Sequence, residues 1–229
     1  MKPFTSFVVF DLDDTLYKEV DYLISAYEEI AFFLQNIVQV EYTVLFDEML
    51  YWYTHKANAF QNILDKYDPS GIYMGDLLHM YRNHIPNIKL EASAKFTLET
   101  LKNLNIPIGI MTDGRSIQQR NKIGILGLEE YTDDIIISEE FGSGKPEVSN
   151  YEYFMKMHPG HRYFYIGDNI KKDFVSANEL GWVTICLLDD GRNIHKQDFS
   201  LRETFLPQHK IEDLKDCLPF ISSGAPKNE

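Results

Sequence analysis

FVVFDLDDTL, residues 7–16, is the stretch that decides the fold. Its first five residues, 7–11, are mostly apolar, rich in Val and Phe, and bounded by charge, which predicts a short buried β-strand. Four polar side chains follow at the end of that strand, namely Asp11, Asp13, Asp14 and Thr15. Open α/β sheets bind their ligands at the carboxyl ends of their strands. The stretch therefore predicts an acidic ligand site at the edge of a sheet.

The overall composition is that of a folded globular chain. Of the 229 residues, 44% are hydrophobic and 25% are charged, which excludes global disorder. The formal net charge of −13 argues against nucleic acid or an anionic membrane surface as the main partner. An anionic substrate would be repelled at long range, so its site must supply local positive charge or a metal ion.

The cysteines and the start of the chain indicate the cellular location. Cys186 lies in the apolar run TICLL and is predicted to be a small buried hydrophobe. The first residues lack the apolar region of a signal peptide, and no apolar run approaches the roughly 18 residues of a membrane-spanning helix. We therefore expect a cytoplasmic protein without a membrane partner, as a monomer or homodimer.

The residues after the first strand change to a helical pattern. Apolar residues recur at i, i+3 and i+4 from residue 23, and amphipathic stretches follow at about 43–56, 57–67 and 76–84. The span 17–88 is too long for one crossover between strands, so it predicts an inserted helical cap domain. The core domain would then comprise residues 1–16 and 89–229. The many aromatic residues of the insertion are expected mainly to fill a small helical bundle.

From residue 91 onward, predicted helices and strands alternate. Helices are predicted at 91–104, 115–126, 148–157 and 171–180, and strands at 107–112, 134–138, 163–167 and 182–187. This alternation implies right-handed crossovers and a parallel sheet, so the expected fold class is α/β. Residues 189–209 are polar and carry little pattern, and a last helix is expected at 211–218.

Each predicted core strand ends in, or soon reaches, a polar cluster. The later clusters are Thr-Asp-Gly at 112–114, Gly-Lys-Pro-Glu at 144–147 and Gly-Asp-Asn at 167–169. Taken alone, each is an ordinary turn or helix start. Parallel strands place their carboxyl ends at one edge, so all the clusters are expected to meet in space. Their order along the chain, each after a buried strand, indicates one site.

The set of motifs resembles the phosphatase branch of the haloacid dehalogenase superfamily, over residues 5–16 and about 90–190. The resemblance implies a Rossmann-like sheet and a mobile helical cap of the first type. It also implies that Asp11 is the nucleophile, forming an aspartyl-phosphate that divides hydrolysis into two easier steps. Asp13 would be the general acid and base. A neighbouring carboxylate is expected to raise the pKa of Asp13 so that it starts protonated.

The resemblance further implies a phosphate-binding set. Thr112 and Lys145 would bind the phosphate through a hydroxyl and an ammonium group. Asp113 and Gly114 would contribute backbone N–H groups at a helix start, which suits an anion. Asp173 is expected either to reach a metal ion through water or, as we favour, to position Lys145.

A Mg²⁺ site is implied at the same edge. By the resemblance, its ligands would be the carboxylates of Asp11 and Asp168 and the backbone carbonyl of Asp13. Oxygen ligands with retained water fit Mg²⁺. Asn169 is assigned to the start of the next helix, beside the ligand set, and Asp14 to the turn after the first strand.

These residues favour Mg²⁺-dependent hydrolysis of a small soluble phosphomonoester, either a sugar phosphate or a nucleotide-like compound. A carbon–halogen hydrolase of the same fold needs neither a second acid nor a metal, so Asp13 and Asp168 argue against it. A phosphomutase uses the same two acids and stays open as an alternative. A non-catalytic partner protein of this fold is a further alternative, although buried acids without a metal or substrate are costly.

Overall fold

In the computed structural model, which describes residues 5–222, the chain falls into two compact units. One unit comprises Met1–Glu19 and Lys89–Glu229, and the other comprises Val20–Ile88. We call them the core unit and the helical unit. The interpretation of the helical unit as a cap stays a prediction.

The helical unit contains most of α1 and three further helices. Their bounds are α1 Glu19–Val38, α2 Tyr42–Thr54, α3 Ala59–Tyr67 and α4 Met74–Asn83. Each helix contributes apolar side chains to one buried cluster, which includes Ile30, Leu45, Ile63 and Leu77. The amphipathic stretches of the sequence thus form a bundle with its own core.

The helices of the core unit separate its strands. They are α5 Ala92–Asn103, α6 Ser116–Ile125, α7 Ser138–Phe141, α8 Val148–Met157, α9 Val175–Glu179 and α10 Leu218–Ser222. Short 3₁₀ helices lie at Leu128–Glu130, Glu203–Phe205 and Leu214–Cys217. No helix in the described part of the chain is long and apolar enough to cross a membrane.

The strands of the core unit form one parallel sheet. They are β1 Ser6–Phe10, β2 Ile108–Thr112, β3 Ile135–Ile137, β4 Arg162–Gly167, β5 Val183–Leu187 and β6 His209–Ile211. Their order is β3-β2-β1-β4-β5-β6, and every pairing is parallel. Every residue of β1, β2 and β5 is buried, as expected for a parallel sheet covered on both faces. The predicted α/β class is confirmed.

Three details of the sequence prediction are wrong. The helix expected at 171–180 begins only at Val175, because the preceding residues form a turn in which Asp173 N–H donates to the Asn169 carbonyl at 3.0 Å. No strand is predicted in the polar span 189–209, which carries little pattern, yet it ends in the first residue of β6. That edge strand has three residues, too few for a periodic pattern. The helix expected at 211–218 is replaced by the 3₁₀ helix Leu214–Cys217, followed by α10.

Candidate active site

The strand ends of the core unit surround a polar cavity of about 120 Å³. The sequence-predicted residues that line it are Asp11, Asp13, Thr112, Asp113, Asp168 and Asn169. Four other polar residues complete the lining, namely Asp14, Glu19, Lys172 and His195. The topology explains why residues far apart in the sequence line one cavity. β1 lies between β2 and β4, and all three strands run in the same direction. The cavity is strongly acidic.

Asp11 follows β1 near the centre of the sheet and is held by β4 and by Lys145. Its backbone N–H donates to the carbonyl of Ile166 at 2.8 Å, which extends the pairing of β1 with β4 by one residue. Its carboxylate lies 2.7 Å from Nζ of Lys145. Burial raises the pKa of Asp11 to about 7, although the positive charge of Lys145 lowers it. Asp11 is thus a buried carboxylate directed into the cavity.

Lys145 is shared between two buried carboxylates. Its Nζ lies 2.7 Å from Oδ1 of Asp11 and 2.8 Å from Oδ1 of Asp173. The hydroxyl of Tyr165 accepts a further hydrogen bond from Nζ at 3.1 Å. Burial by itself lowers the pKa of Lys145, but the charges of Asp11 and Asp173 outweigh it and raise the pKa well above its usual value. One ammonium group therefore partly neutralises two acids.

The turn after β4 is shaped by Gly167 and Asp173. Oδ2 of Asp173 accepts the backbone N–H of Asn169 at 2.8 Å, which closes the turn. A Cβ at Gly167 would lie 2.5 Å from that same oxygen, so a larger residue would displace the carboxylate. The sequence Gly-Asp-Asn thus places Asp168 at the cavity and Asp173 beneath it, fully buried.

Three carboxylates form a group that could hold a metal ion. Asp11, Asp168 and Asp173 each offer one oxygen, and these oxygens lie within 4.8 Å of one another. Burial, followed by the charges of Asp173 and Asp11, raises the pKa of Asp168 to about 9. Oxygen donors in a buried site with excess negative charge fit Mg²⁺, which prefers carboxylates and water. The residues therefore fit the expected metal, and the carboxylate of Asp173 belongs to the same group of oxygens as those of Asp11 and Asp168.

The carboxylate of Asp13 is surrounded by hydrogen-bond donors. It accepts bonds from Nζ of Lys122 at 2.6 Å, from Nε2 of Gln119 at 2.9 Å and from the hydroxyl of Tyr17. Burial raises the pKa of Asp13, but the charge and hydrogen bond of Lys122 outweigh burial and bring the pKa below its usual value. The expectation that a neighbouring carboxylate raises this pKa is wrong, because the ammonium group of buried Lys122, 2.6 Å from Oδ1, favours the ionised form.

The Thr-Asp-Gly cluster after β2 is held by side chains around it. Oγ1 of Thr112 accepts from Gln119 at 2.5 Å, and Oδ1 of Asp113 accepts the backbone N–H of Lys145 at 3.0 Å. The N–H of Gly114 was expected to face an anion, but it donates instead to Oγ of Ser138 at 2.9 Å. Thr112 thus lines the cavity as expected. The N–H of Gly114 instead binds a side chain of the protein.

Lys172 was not identified from the sequence, although it lines the cavity. Its Nζ lies 2.9 Å from Oδ2 of Asp113, and this pairing, together with Lys145, lowers the pKa of Asp113 against the effect of burial. Lys172 lies three residues after Gly-Asp-Asn and directly before Asp173. This position next to the motif could have identified it as a residue of the site.

The loop after β5 also reaches the site, and sequence reasoning missed it. Nδ2 of Asn193 donates to Oδ2 of Asp168 at 3.0 Å, and Oδ1 of Asn193 accepts from Lys18 at 2.8 Å. Nε2 of Gln197 donates to the carbonyl of Asp168 at 2.9 Å. No motif marks this loop, because its contacts depend on chain folding over long sequence separations.

Asp14, assigned to a turn, has that role and a second one. Its Oδ1 accepts the N–H of Glu19 at 2.9 Å, and its Oδ2 accepts the N–H of Ile194 at 2.9 Å. Its backbone lies in the left-handed region, at φ of 56°, which aspartate tolerates better than most residues. Asp14 therefore joins the first turn to the loop after β5.

Comparison with known proteins gives consistent matches over most of the chain. A family model described as haloacid dehalogenase-like hydrolase matches residues 8–187. The glyceraldehyde 3-phosphate phosphatase of Methanocaldococcus jannaschii is 30% identical over 195 residues, which cover 79% of this chain and 84% of the relative. The protein of the same name from Methanopyrus kandleri is 28% identical, with 93% of this chain and 96% of the relative covered.

A solved structure shows the same fold. The HAD-hydrolase YfnB from Bacillus subtilis, bound to magnesium, superposes with a TM-score of 0.65 at 19% identity. The match covers 95% of this chain and 98% of that chain. The residues matched by the family model include Asp11 and Asp173 but end before Asn193. The loop after β5 thus lies outside the residues that the family model matches.

Proposed function

The chain belongs to the haloacid dehalogenase-like hydrolase family, and from this premise we propose that it hydrolyses a small phosphomonoester with Mg²⁺ as cofactor. The observation that carries the proposal is the buried pair of Asp11 and Lys145, 2.7 Å apart, in which Asp11 lines the cavity formed by the strand ends and Lys145 supports it from outside the lining. A carboxylate whose ionised form is favoured by a fixed ammonium group can attack phosphorus, and the positive charge of that group attracts the phosphate.

In the first step, a carboxylate oxygen of Asp11 forms a bond to phosphorus, and the bond between phosphorus and the ester oxygen breaks. Asp13 donates a proton to that ester oxygen, which leaves as an alcohol. Asp13 must first take up this proton. The approach of a phosphate dianion supports the uptake, because a nearby like charge disfavours the ionised carboxylate.

In the second step, a water oxygen bonds to phosphorus and the bond from phosphorus to Asp11 breaks. Asp13 accepts one proton of the attacking water, so it is again protonated for the next cycle. Inorganic phosphate leaves the site. Asp13 thus acts as acid in one half of the cycle and as base in the other.

Charge neutralisation is the remaining requirement in so acidic a cavity. We assign phosphate binding to Thr112 and Lys145. Mg²⁺ would be held by Asp11, Asp168 and the backbone carbonyl of Asp13. When bound, it would offset the negative charge of the acids and the phosphate and thereby stabilise the transition state. Asp173 then holds Lys145 in place, as its 2.8 Å contact supports.

For the substrate we propose a small sugar phosphate. Two relatives that cover most of this chain are named glyceraldehyde 3-phosphate phosphatases, which favours a triose phosphate over a nucleotide-like compound. We propose the helical unit, Val20–Ile88, as the cap that selects among such esters. Its separate apolar core supports an independently folded element.

A phosphate-release screen tests the proposal. The purified protein is incubated with Mg²⁺ and with triose, pentose and hexose phosphates, nucleotides and 4-nitrophenyl phosphate. We expect release of inorganic phosphate from at least one sugar phosphate, loss of activity in EDTA and recovery with Mg²⁺. Full activity in EDTA would exclude the metal role. An isomerised sugar phosphate without phosphate release would identify a mutase instead.

A further inference from the structure

Helix α6 buries two polar side chains against Asp13. Gln119 and Lys122 are each 1% exposed, and they lie three residues apart on the same side of the helix. Complete burial of a lysine is rare unless the ammonium group is paired. Nζ of Lys122 lies 2.6 Å from Oδ1 of Asp13, which supplies that pairing. Neither α6 side chain lines the cavity, so neither is placed to touch a substrate there.

The donors are distributed unevenly over the two oxygens of Asp13. Oδ1 accepts the bonds from Lys122 and from the hydroxyl of Tyr17. Oδ2 accepts the bond from Nε2 of Gln119 at 2.9 Å. A carboxylate oxygen has about two lone-pair positions. These three donors therefore occupy both positions on Oδ1 and one position on Oδ2.

Gln119 also links Asp13 to the phosphate-binding strand end. Its Nε2 donates to Oγ1 of Thr112 at 2.5 Å as well as to Asp13. The close approach requires Gly114, where a Cβ would lie 2.9 Å from Cδ of Gln119 and where φ is +152°. The position of Asp13 is thus tied to the hydroxyl of Thr112 through one side chain.

We propose that Lys122 and Gln119 are positioning residues that orient Asp13 so that Oδ2 exchanges the proton with the substrate oxygen. The inference rests on the proposed function, in which Asp13 is the general acid and base. Oδ2 is the oxygen that keeps a lone pair for a proton, whereas Oδ1 is fixed by Lys122 and Tyr17. The bond from Gln119 then sets the distance between that proton and the phosphate bound at Thr112.

The test uses esters that differ in their need for an acid. Phenyl phosphate has a basic leaving oxygen that needs a proton, whereas 2,4-dinitrophenyl phosphate has a leaving group stable as an anion. In Lys122→Met we expect kcat/KM for phenyl phosphate, which reports only the step that releases the alcohol, to fall about 10²-fold or more, the scale of general acid catalysis, with a much smaller loss for the dinitrophenyl ester. Gln119→Leu should also reduce the hydrolysis of phenyl phosphate more than that of the dinitrophenyl ester, although this substitution removes no charge.

Controls separate positioning from folding. Lys95→Met, on the exposed surface of α5, should leave both rates unchanged, and thermal melts report whether each variant is folded. Equal losses of kcat/KM on both esters in folded Lys122→Met and Gln119→Leu, or no loss on either, would overturn the inference while the proposed function stands. A wild-type protein inactive on both esters and on the sugar phosphates would overturn the proposed function and, with it, this inference.

Discussion

Nζ of Lys145 lies 2.7 Å from Oδ1 of Asp11, and both side chains are buried. The contact fixes the orientation of the carboxylate and supplies the positive charge that keeps part of its population ionised. Burial works in the opposite direction and brings the pKa of Asp11 to about 7. In this pair burial favours the neutral carboxyl group of Asp11, and the charge of Lys145 favours the carboxylate that the proposed attack on phosphorus requires.

The first prediction concerns Asp11, the proposed nucleophile. Asp11→Asn keeps the shape of the side chain but removes its negative charge, so hydrolysis of 4-nitrophenyl phosphate should fall by at least about 10³-fold. Steady-state kinetics measure the loss, and circular dichroism checks the fold. Asp133→Asn, at an exposed position outside the cavity, is the control and should be fully active. Normal turnover by Asp11→Asn would remove Asp11 from the mechanism.

The second prediction concerns the shared ammonium group. Lys145→Met leaves Asp11 and Asp173 buried without their common partner, which should cost about 3–5 kcal/mol in the free energy of unfolding. Chemical denaturation measures this cost. Adding Asp173→Asn should recover part of the stability, because one buried charge is removed, but it should not recover activity. Additive losses in the double variant would contradict a shared contact.

The sequence predicted those parts of the site that depend on local pattern. Asp11 follows a buried strand, and Asp168 lies in a turn that needs Gly167, so short stretches identify both. The contacts of Lys122 and Asn193 could not be predicted in the same way. Their partners lie 109 and 25 residues away in the sequence. Nothing in the adjacent sequence indicates that either polar side chain faces the site. The parallel sheet was predictable because β1 to β5 are mostly apolar runs, whereas the edge strand β6, with the sequence His-Lys-Ile, gives no such signal.

The third prediction concerns pH and Glu19, which lines the cavity. Burial, followed by the charge of Asp13, raises the pKa of Glu19 from 4.5 to about 8. The folded protein therefore holds this proton more tightly than the unfolded chain. The contribution to stability is complete below pH 4.5 and is lost as pH rises towards 8.

Glu19→Gln should remove this dependence. In EDTA, the Tm of the wild type should fall more steeply between pH 5 and 8 than the Tm of the variant, and the two proteins share all other titrating groups. Scanning calorimetry at several pH values measures the difference. Superimposable pH profiles would show that Glu19 is already ionised throughout this range.

The last prediction concerns the loop after β5 and the metal. Nδ2 of Asn193 donates to Oδ2 of Asp168 at 3.0 Å, while Oδ1 of Asn193 accepts from Lys18 at 2.8 Å. Asn193 thus fixes the rotation of the Asp168 carboxylate, and Lys18 in turn holds the side chain of Asn193 in place. Partners that orient metal ligands typically contribute about 10–100-fold to metal affinity.

We therefore expect Asn193→Ala to weaken Mg²⁺ binding by about 10–100-fold, the range found for such partners. Isothermal titration of the EDTA-treated protein measures the affinity without relying on catalysis. The rate at saturating Mg²⁺ should return close to that of the wild type, because Asp11 and Asp13 are untouched. Asn103→Ala, at the exposed end of α5, should bind Mg²⁺ as the wild type does. An unchanged affinity in Asn193→Ala would mean that Asp168 is oriented by the turn after β4 alone.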